Sequence, residues 1–289
     1  MNKSALYDKV KNYGELVMFT NTLFSVGFGI IGLLLAAHGL PGFWTTFWIC
    51  LALLSGRTAA NAFNRVADRD IDARDPRTAG RQIPAGKLRT REVLVFVIIN
   101  FLILTLAAAM LGKICLYLLP VAIVLFIVYS YAKRFTWLCH IILGFACAVA
   151  PAGAWIAVTG SLNFTGCVLA AADVFFVAGF DIIYAIQDRK FDAGQGLHSI
   201  PVRFGEHMAL RIAAVFHLAT FVLLFIMVWL APELGLVWVI GILLVGLLLI
   251  YEHRLVSPNH YGKVIFASYN VNKIISVTLL VTVVLDMLI

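Results

Sequence analysis

Arg57-Thr58-Ala59-Ala60-Asn61-Ala62-Phe63-Asn64-Arg65-Val66-Ala67-Asp68-Arg69-Asp70-Ile71-Asp72 follows directly on an apolar run that starts near Phe43. Positions 57, 61, 64, 68 and 72 are separated by 4, 3, 4 and 4, so on a helix they share one face. The apolar run before them is long enough to cross a bilayer, which takes about 20 residues. The stretch therefore reads as a helix leaving a membrane with a stripe of amide and carboxylate groups at its end.

Composition agrees. The 289 residues are 62% hydrophobic and only 13% charged, where an ordinary soluble domain carries roughly 25% charge. The apolar runs are long and unbroken rather than alternating, which excludes a membrane β-barrel. Nine spans are expected: 17–37, 43–63, 93–112, 114–131, 137–158, 167–187, 209–230, 234–252 and 270–289. The fold class is thus an all-α membrane protein of about nine transmembrane helices around a central cavity. The whole chain, 1–289, reads as one domain, with cytoplasmic cap segments at about 64–92 and 188–208.

The links between spans fall into two alternating sets. HGLPG, LGK, TGSLNFTG and APELG are short and nearly uncharged, whereas the others are long and basic. Twenty of the 22 Lys and Arg residues lie in the basic set or the N-terminal segment. Arg57 sits inside a span and Lys113 on the opposite side. The positive-inside rule puts the N-terminus and the basic links in the cytoplasm and the C-terminus outside. The net charge of +7 therefore sets topology and suits an anionic ligand or headgroup, and does not point to nucleic acid. The opening MNKSALYDKVKNYGE lacks a signal-peptide pattern, so the first apolar run is expected to stay in the protein. The five cysteines form no CxxC pair and read as packing residues.

A second stripe matches the first. Asp181-Ile182-Ile183-Tyr184-Ala185-Ile186-Gln187-Asp188-Arg189-Lys190-Phe191-Asp192 ends the sixth span, and Asp181, Asp188 and Asp192 again share a face. Acids and an amide oxygen on one face suit a hard divalent cation, and Mg²⁺ takes a few carboxylates with water and phosphate completing its shell. Two such stripes at inner helix ends, facing each other, make a Mg²⁺–diphosphate site. Ionisable groups at membrane depth are costly and mark function by default.

The motifs resemble those of the UbiA family of intramembrane polyprenyltransferases. Asn64-xxx-Asp68-xxx-Asp72 followed by Arg77-Thr-Ala-Gly-Arg81-Gln-Ile-Pro84 is similar to the family's first signature, and Asp181…Tyr184-Ala185…Asp188-xxx-Asp192 to its second. Tyr129-Ser-Tyr131-Ala-Lys133-Arg134 resembles its Tyr/Lys segment, and Gly196 to Gly205 its link after the second signature. The resemblance runs from the first span to the last. The start of the chain and Gly56-Arg57-Thr58 look closest to the bacterial 4-hydroxybenzoate polyprenyltransferase branch.

The resemblance implies Mg²⁺-dependent transfer of a polyprenyl group from polyprenyl diphosphate to a hydroxyaromatic acid in quinone biosynthesis, at the cell (inner) membrane. 4-Hydroxybenzoate is the favoured acceptor and a dihydroxynaphthoate on a menaquinone route the alternative. It implies metal–diphosphate roles for Asn64, Asp68, Asp72, Asp188 and Asp192, and places Lys133 and Tyr129 at the diphosphate and allylic end. Arg77 and Arg81 belong to the loop over the site, and Asn61, Asp181 and Tyr184 to substrate binding. Arg57 is matched to an arginine for the acceptor's carboxylate or the diphosphate, with Asp181 as an alternative structural partner. Arg65 stands where many family members carry Asp, removing one possible acidic ligand. Asp173 reads as a packing or cavity group, His198 as a site-proximal residue, and the other histidines show no ligand spacing. An ion-coupled transporter is the rival of another class, although transporters hold such acids near the midplane on broken helices.

Overall fold

Residues 3–18 and 26–289 are described by a computed structural model, and within them the chain is helical, with one isolated β-bridge between Ser257 and His260. We number the helices α1 (Lys3–Leu16), α2 (Gly27–Ala36), α3 (Phe43–Ala67), α4 (Arg69–Asp72), α5 (Thr90–Leu111), α6 (Lys113–Ala132), α7 (Cys139–Thr159), α8 (Phe164–Ala185), α9 (Arg189–Gly194), α10 (Ile200–Leu230), α11 (Leu236–Leu255) and α12 (Asn272–Leu288).

Seven helical segments among the described residues are long and apolar enough to cross a membrane, running from α5 to α8 and from α10 to α12. Two of the nine expected spans differ from these. The first, 17–37, lies partly outside the described residues, and its described part is the ten-residue apolar helix α2. The second is α3, whose 25 residues are long enough but include Arg57 and Arg65. Their charge lowers its hydropathy, as expected of a helix that gives one face to a polar site. Large apolar side chains are exposed along the outer faces, for example Ile98, Leu102 and Leu106 on α5 and Leu243, Leu247 and Ile250 on α11. Surfaces of this size belong in hydrocarbon. The protein is an integral membrane protein.

Span α8 is the most deeply buried. Helices α7 and α10 pack against its two sides, and α3 packs against α5. The α7–α8 contact is close because position 144 is glycine: a Cβ there would meet the Val174 carbonyl oxygen at 2.4 Å. Small residues bring membrane helices into backbone contact in this way.

Helix α10 begins at the cap rather than in the bilayer. The Ser199 side chain accepts a hydrogen bond from Val202 N, and Pro201 occupies the first turn, both good helix starters. At Gly205, φ is 79° and ψ 167°, a conformation open to glycine at little cost. The break separates the short cap part of α10 from its long apolar part. Helix α12 is entered through a wider-wound π segment, Phe266–Val271, that continues straight into it.

Candidate active site

The acid stripes end α3 and α8 on the same side of the bundle. Helix α3 stops at Ala67, and Asp68 links it to the one-turn helix α4 that carries Asp72. Helix α8 stops at Ala185, passes through a 3₁₀ turn ending at Asp188, and gives way to α9 with Asp192. All four acids, with Asn61, Asn64, Asp181, Tyr184, Tyr129 and Lys133, line one cavity of about 540 Å³. That is within the range of sites for substrates of modest size. Its inner part is walled by apolar groups such as Leu53, Leu104, Leu119, Phe126 and Phe176.

Each acid is paired with a base. Arg81 reaches Asp72 at 2.6 Å, Arg134 reaches Asp68 at 2.9 Å, Arg77 reaches Asp188 at 2.8 Å and Lys133 reaches Asp192 at 3.1 Å. Asp72, Asp188 and Asp192 are buried while their basic partners stay partly exposed, so solvent and salt screen these pairs less than fully exposed surface pairs. Burial alone lowers the Lys133 pKa, but the carboxylates of Asp192 and Asp188 outweigh it and hold the ammonium above its ordinary value. For Asp68 burial prevails over Arg134 and raises its pKa. Asn64 donates to Asp68 at 3.2 Å and keeps its oxygen for the cavity.

The first cap segment folds over this site. Thr78 Oγ1 donates to the Asp72 carbonyl at 3.0 Å, and Arg77 N donates to the Asp75 carboxylate at 2.9 Å, an Asx-type turn. These contacts turn Arg77 inward, where its guanidinium donates to the Tyr184 hydroxyl at 2.6 Å and to Asp188 at 2.9 Å. Arg74 donates to Gln195 at 2.8 Å, tying the first cap to the second. The second cap also holds the end of α6, because His198 N donates to the Lys133 carbonyl at 2.7 Å.

Deeper in the cavity, the Arg57 guanidinium contacts the Cys147 thiol at 3.2 Å while its Nε is buried without a hydrogen-bond partner among the described residues. Asp173 lines the same region and interacts electrostatically with Arg57. The expected alternative, an Arg57–Asp181 pair, does not form: Asp181 is taken by His140 on α7 at 2.7 Å. Asn61 lines the cavity, yet its amide donates to the Val17 carbonyl at 2.8 Å and so also holds the N-terminal segment. Arg65, the unusual residue of the first stripe, lines the cavity and contacts the Met18 sulfur at 3.3 Å. His198 lines a separate small pocket with Trp137 and Arg203.

Sequence reasoning gave Arg134 no part in the site, although it adjoins Lys133, and it missed Tyr269 from the π segment, whose ring packs on Tyr184 at 5.3 Å. It also passed over His140, whose partner lies 41 residues away.

Among the described residues no three His, Cys, Asp or Glu side chains converge into a ready metal cage. The donor set still fits Mg²⁺, which needs only one or two carboxylates when phosphate oxygens complete its shell. Asp72 Oδ2 is buried with no hydrogen-bond partner among the described residues, which leaves one carboxylate oxygen available.

A bundle that aims facing rows of acids and bases at the mouth of an apolar, bilayer-deep cavity defines a class of intramembrane enzymes acting on substrates with a charged head and a greasy tail. The chain belongs to the UbiA prenyltransferase family, whose model matches residues 25–274. It is 30% identical over 280 residues to a 4-hydroxybenzoate octaprenyltransferase of Aeromonas hydrophila, covering 91% of this chain and 93% of that one. It is 32% identical over 246 residues to the enzyme of that name from Tolumonas auensis, covering 85% and 83%. Among solved structures it is similar to an apo UbiA homolog from Aeropyrum pernix K1, with TM-score 0.83, 29% identity and 92% and 98% of the chains covered. The fold also matches a UbiA homolog from Archaeoglobus fulgidus bound to GPP and Mg²⁺, with TM-score 0.72, 19% identity and 96% and 100% covered.

Proposed function

We propose that this enzyme transfers a polyprenyl group from polyprenyl diphosphate to a hydroxyaromatic acid in quinone biosynthesis, with 4-hydroxybenzoate as the favoured acceptor. The observation that carries the reading is the cavity itself, with a mouth ringed by four acid–base pairs, an apolar interior, and a deep arginine that has no carboxylate within ion-pair distance among the described residues. The names of the 30%-identical relatives and the GPP and Mg²⁺ bound in the archaeal homolog support it. We read residues 1–289 as a single catalytic domain in the cell inner membrane. The N-terminus and cavity mouth face the cytoplasm and the C-terminus faces outside, as the basic links dictate.

In this reading Asn64, Asp68, Asp72, Asp188 and Asp192 hold Mg²⁺ together with the diphosphate. The bound metal supplies neutralisation of leaving-group charge. Arg77, Arg81 and Lys133 exchange their carboxylate partners for diphosphate oxygens and stabilise the negative charge that grows as the allylic C–O bond breaks. Tyr129 lines the cavity beside Lys133, where the allylic carbons pass, and the apolar wall takes the chain and excludes water from the allylic cation. Arg57 anchors the acceptor's carboxylate, Asn61 lies one turn above it, and the ring attacks the cation.

The test is the purified protein with one polyprenyl diphosphate and a panel of aromatic acids, product masses read directly, with and without a chelator. A prenylated hydroxybenzoate whose formation stops with EDTA and resumes with Mg²⁺ is expected. A prenylated dihydroxynaphthoate alone moves the acceptor to the menaquinone type. Full activity in excess chelator refutes the metal's role.

A further inference from the structure

Carbon–carbon bond formation on an aromatic ring leaves a proton to be removed, and the groups named so far are occupied with charge and position. His140 and Asp181 hydrogen-bond with each other and with none of those groups. His140 stands at the start of α7 with no exposure, and its Nδ1 lies 2.7 Å from Asp181 Oδ2 on α8. A carboxylate oxygen can only accept here, so the imidazole hydrogen belongs on Nδ1. The other nitrogen, Nε2, is buried with no hydrogen-bond partner among the described residues. Besides the neighbouring Cys139 thiol, the ring's polar contact is with the Asp181 carboxylate. Asp181 itself lines the cavity and is partly exposed to it, and its second oxygen takes no hydrogen bond among the described residues.

Depth along the helices supports a role. Asp181 precedes Asp188 by seven residues, about two turns or roughly 10 Å, and Arg57 precedes Asp68 by eleven, about three turns or roughly 16 Å. Helices α3 and α8 run in the same direction and end at the same mouth. Asp181 therefore lies between the level of Arg57 and that of the diphosphate-facing acids. A hydroxyaromatic acid anchored by its carboxylate at Arg57 presents the carbon next to its hydroxyl toward that intermediate level.

We propose that Asp181, positioned by His140, is the base that takes the ring proton; this rests on the function proposed above. The allylic C–O bond breaks and its electron pair leaves with diphosphate. The ring's π electrons form the new carbon–carbon bond. The C–H bond at that carbon then breaks, its electrons restore aromaticity, and the proton moves to the free oxygen of Asp181. The His140 N–H stays on the other oxygen and fixes the carboxylate's orientation. Asp181 is thus a catalytic residue and His140 a positioning residue.

The experiment compares 4-hydroxybenzoate with the same acid deuterated at both carbons next to the hydroxyl, using geranyl diphosphate as donor. In the wild type, proton removal follows bond formation quickly, so the isotope effect on kcat stays near one. Asp181→Asn should lower kcat by roughly 10²-fold or more, the usual worth of a general base, and raise a clear primary isotope effect, with the donor KM little changed. His140→Ala should show the same pattern more weakly. His140→Gln, which restores an N–H donor, should recover part of kcat and lower the isotope effect again. Thermal melting of each variant separates this from loss of fold, since instability alone does not create an isotope effect. Folded Asp181→Asn enzyme with an isotope effect near one overturns the assignment. Wild-type protein that prenylates no hydroxyaromatic acid overturns the functional reading, and this assignment with it.

Discussion

Replacing Gly144 with alanine tests the interface that aligns the two halves of the site. The added methyl would stand 2.4 Å from the Val174 carbonyl oxygen and 3.1 Å from its Cα, where ordinary contact begins at 3.4 Å. The obstacle is backbone within α8 and has no rotamer to change, so α7 and α8 must part by about 1 Å. Overpacking of this kind costs about 1–3 kcal/mol. It also moves His140 and Cys147 on α7 away from Asp181 on α8 and Arg57 on α3, and a misplacement of about 1 Å can cost on the order of a hundredfold in rate. Thermal unfolding in detergent and steady-state kinetics are the assays, with Gly153→Ala as the control for melting only, because Gly153 lines the cavity. Gly153 lies on the same helix, and a Cβ there meets nothing within 4 Å. Its replacement should leave the melting temperature unchanged or higher, since glycine costs a helix about 1 kcal/mol relative to alanine. If Gly144→Ala melts and turns over like the wild type while Gly153→Ala is the weaker protein, close α7–α8 packing is not what aligns the site.

Three further outcomes are expected. Arg77→Ala should raise the prenyl diphosphate KM by roughly 10- to 100-fold, because it removes hydrogen bonds involving charge worth about 1.5–3 kcal/mol; Tyr184→Phe, which removes only one acceptor of Arg77, should have a several-fold effect, and equal effects would deny Arg77 a direct contact with substrate. Arg57→Lys should raise the acceptor KM far more than the donor KM, since a point charge does not replace a bidentate guanidinium, whereas a change confined to the donor KM moves Arg57 to the diphosphate site. With the native cysteines replaced, a cysteine at Pro41 should react with an impermeant reagent from outside and one at Gly80 should not; reaction at Gly80 from outside inverts the topology.

Much of this is legible in the sequence because membrane burial enforces simple patterns. Unbroken apolar runs mark the spans from α5 onward, and the 4-3-4-4 spacing groups Asn64, Asp68 and Asp72 at one site, although the expected continuous helix breaks after Ala67 and the short α4 carries Asp72. The short link 231–235 reads as a connection and is one, since an apolar pair of helices must turn there. What escapes is pairing at a distance. Nothing in the spacing of His140 and Asp181, or of Arg134 and Asp68, reveals that separate helices bring them together. Arg57 and Asp181 are natural partners by charge and depth, but Asp181 is engaged by a histidine on the neighbouring helix. Of the first expected span, 17–37, the helix Gly27–Ala36 is described, and residues 19–25 lie outside the described residues.

The four paired acids at the cavity mouth make the resting site electrically balanced, and balance has a thermodynamic consequence. A lone cation arriving there must displace a guanidinium or an ammonium, and a lone anion must pull one away from its carboxylate. Either ion by itself meets a competitor already in place. In the proposed reading the two together would be exchanged for each other's counter-charges: the acids released by the arginines and Lys133 would hold the metal, and the bases released by the acids would hold the diphosphate. The two ligands must then tighten each other's binding by the same factor, as linkage requires. On the proposed function such a mouth would favour a complete metal–diphosphate headgroup over either ion alone, so selectivity for the donor would begin with charge stoichiometry before any part of the prenyl chain is recognised.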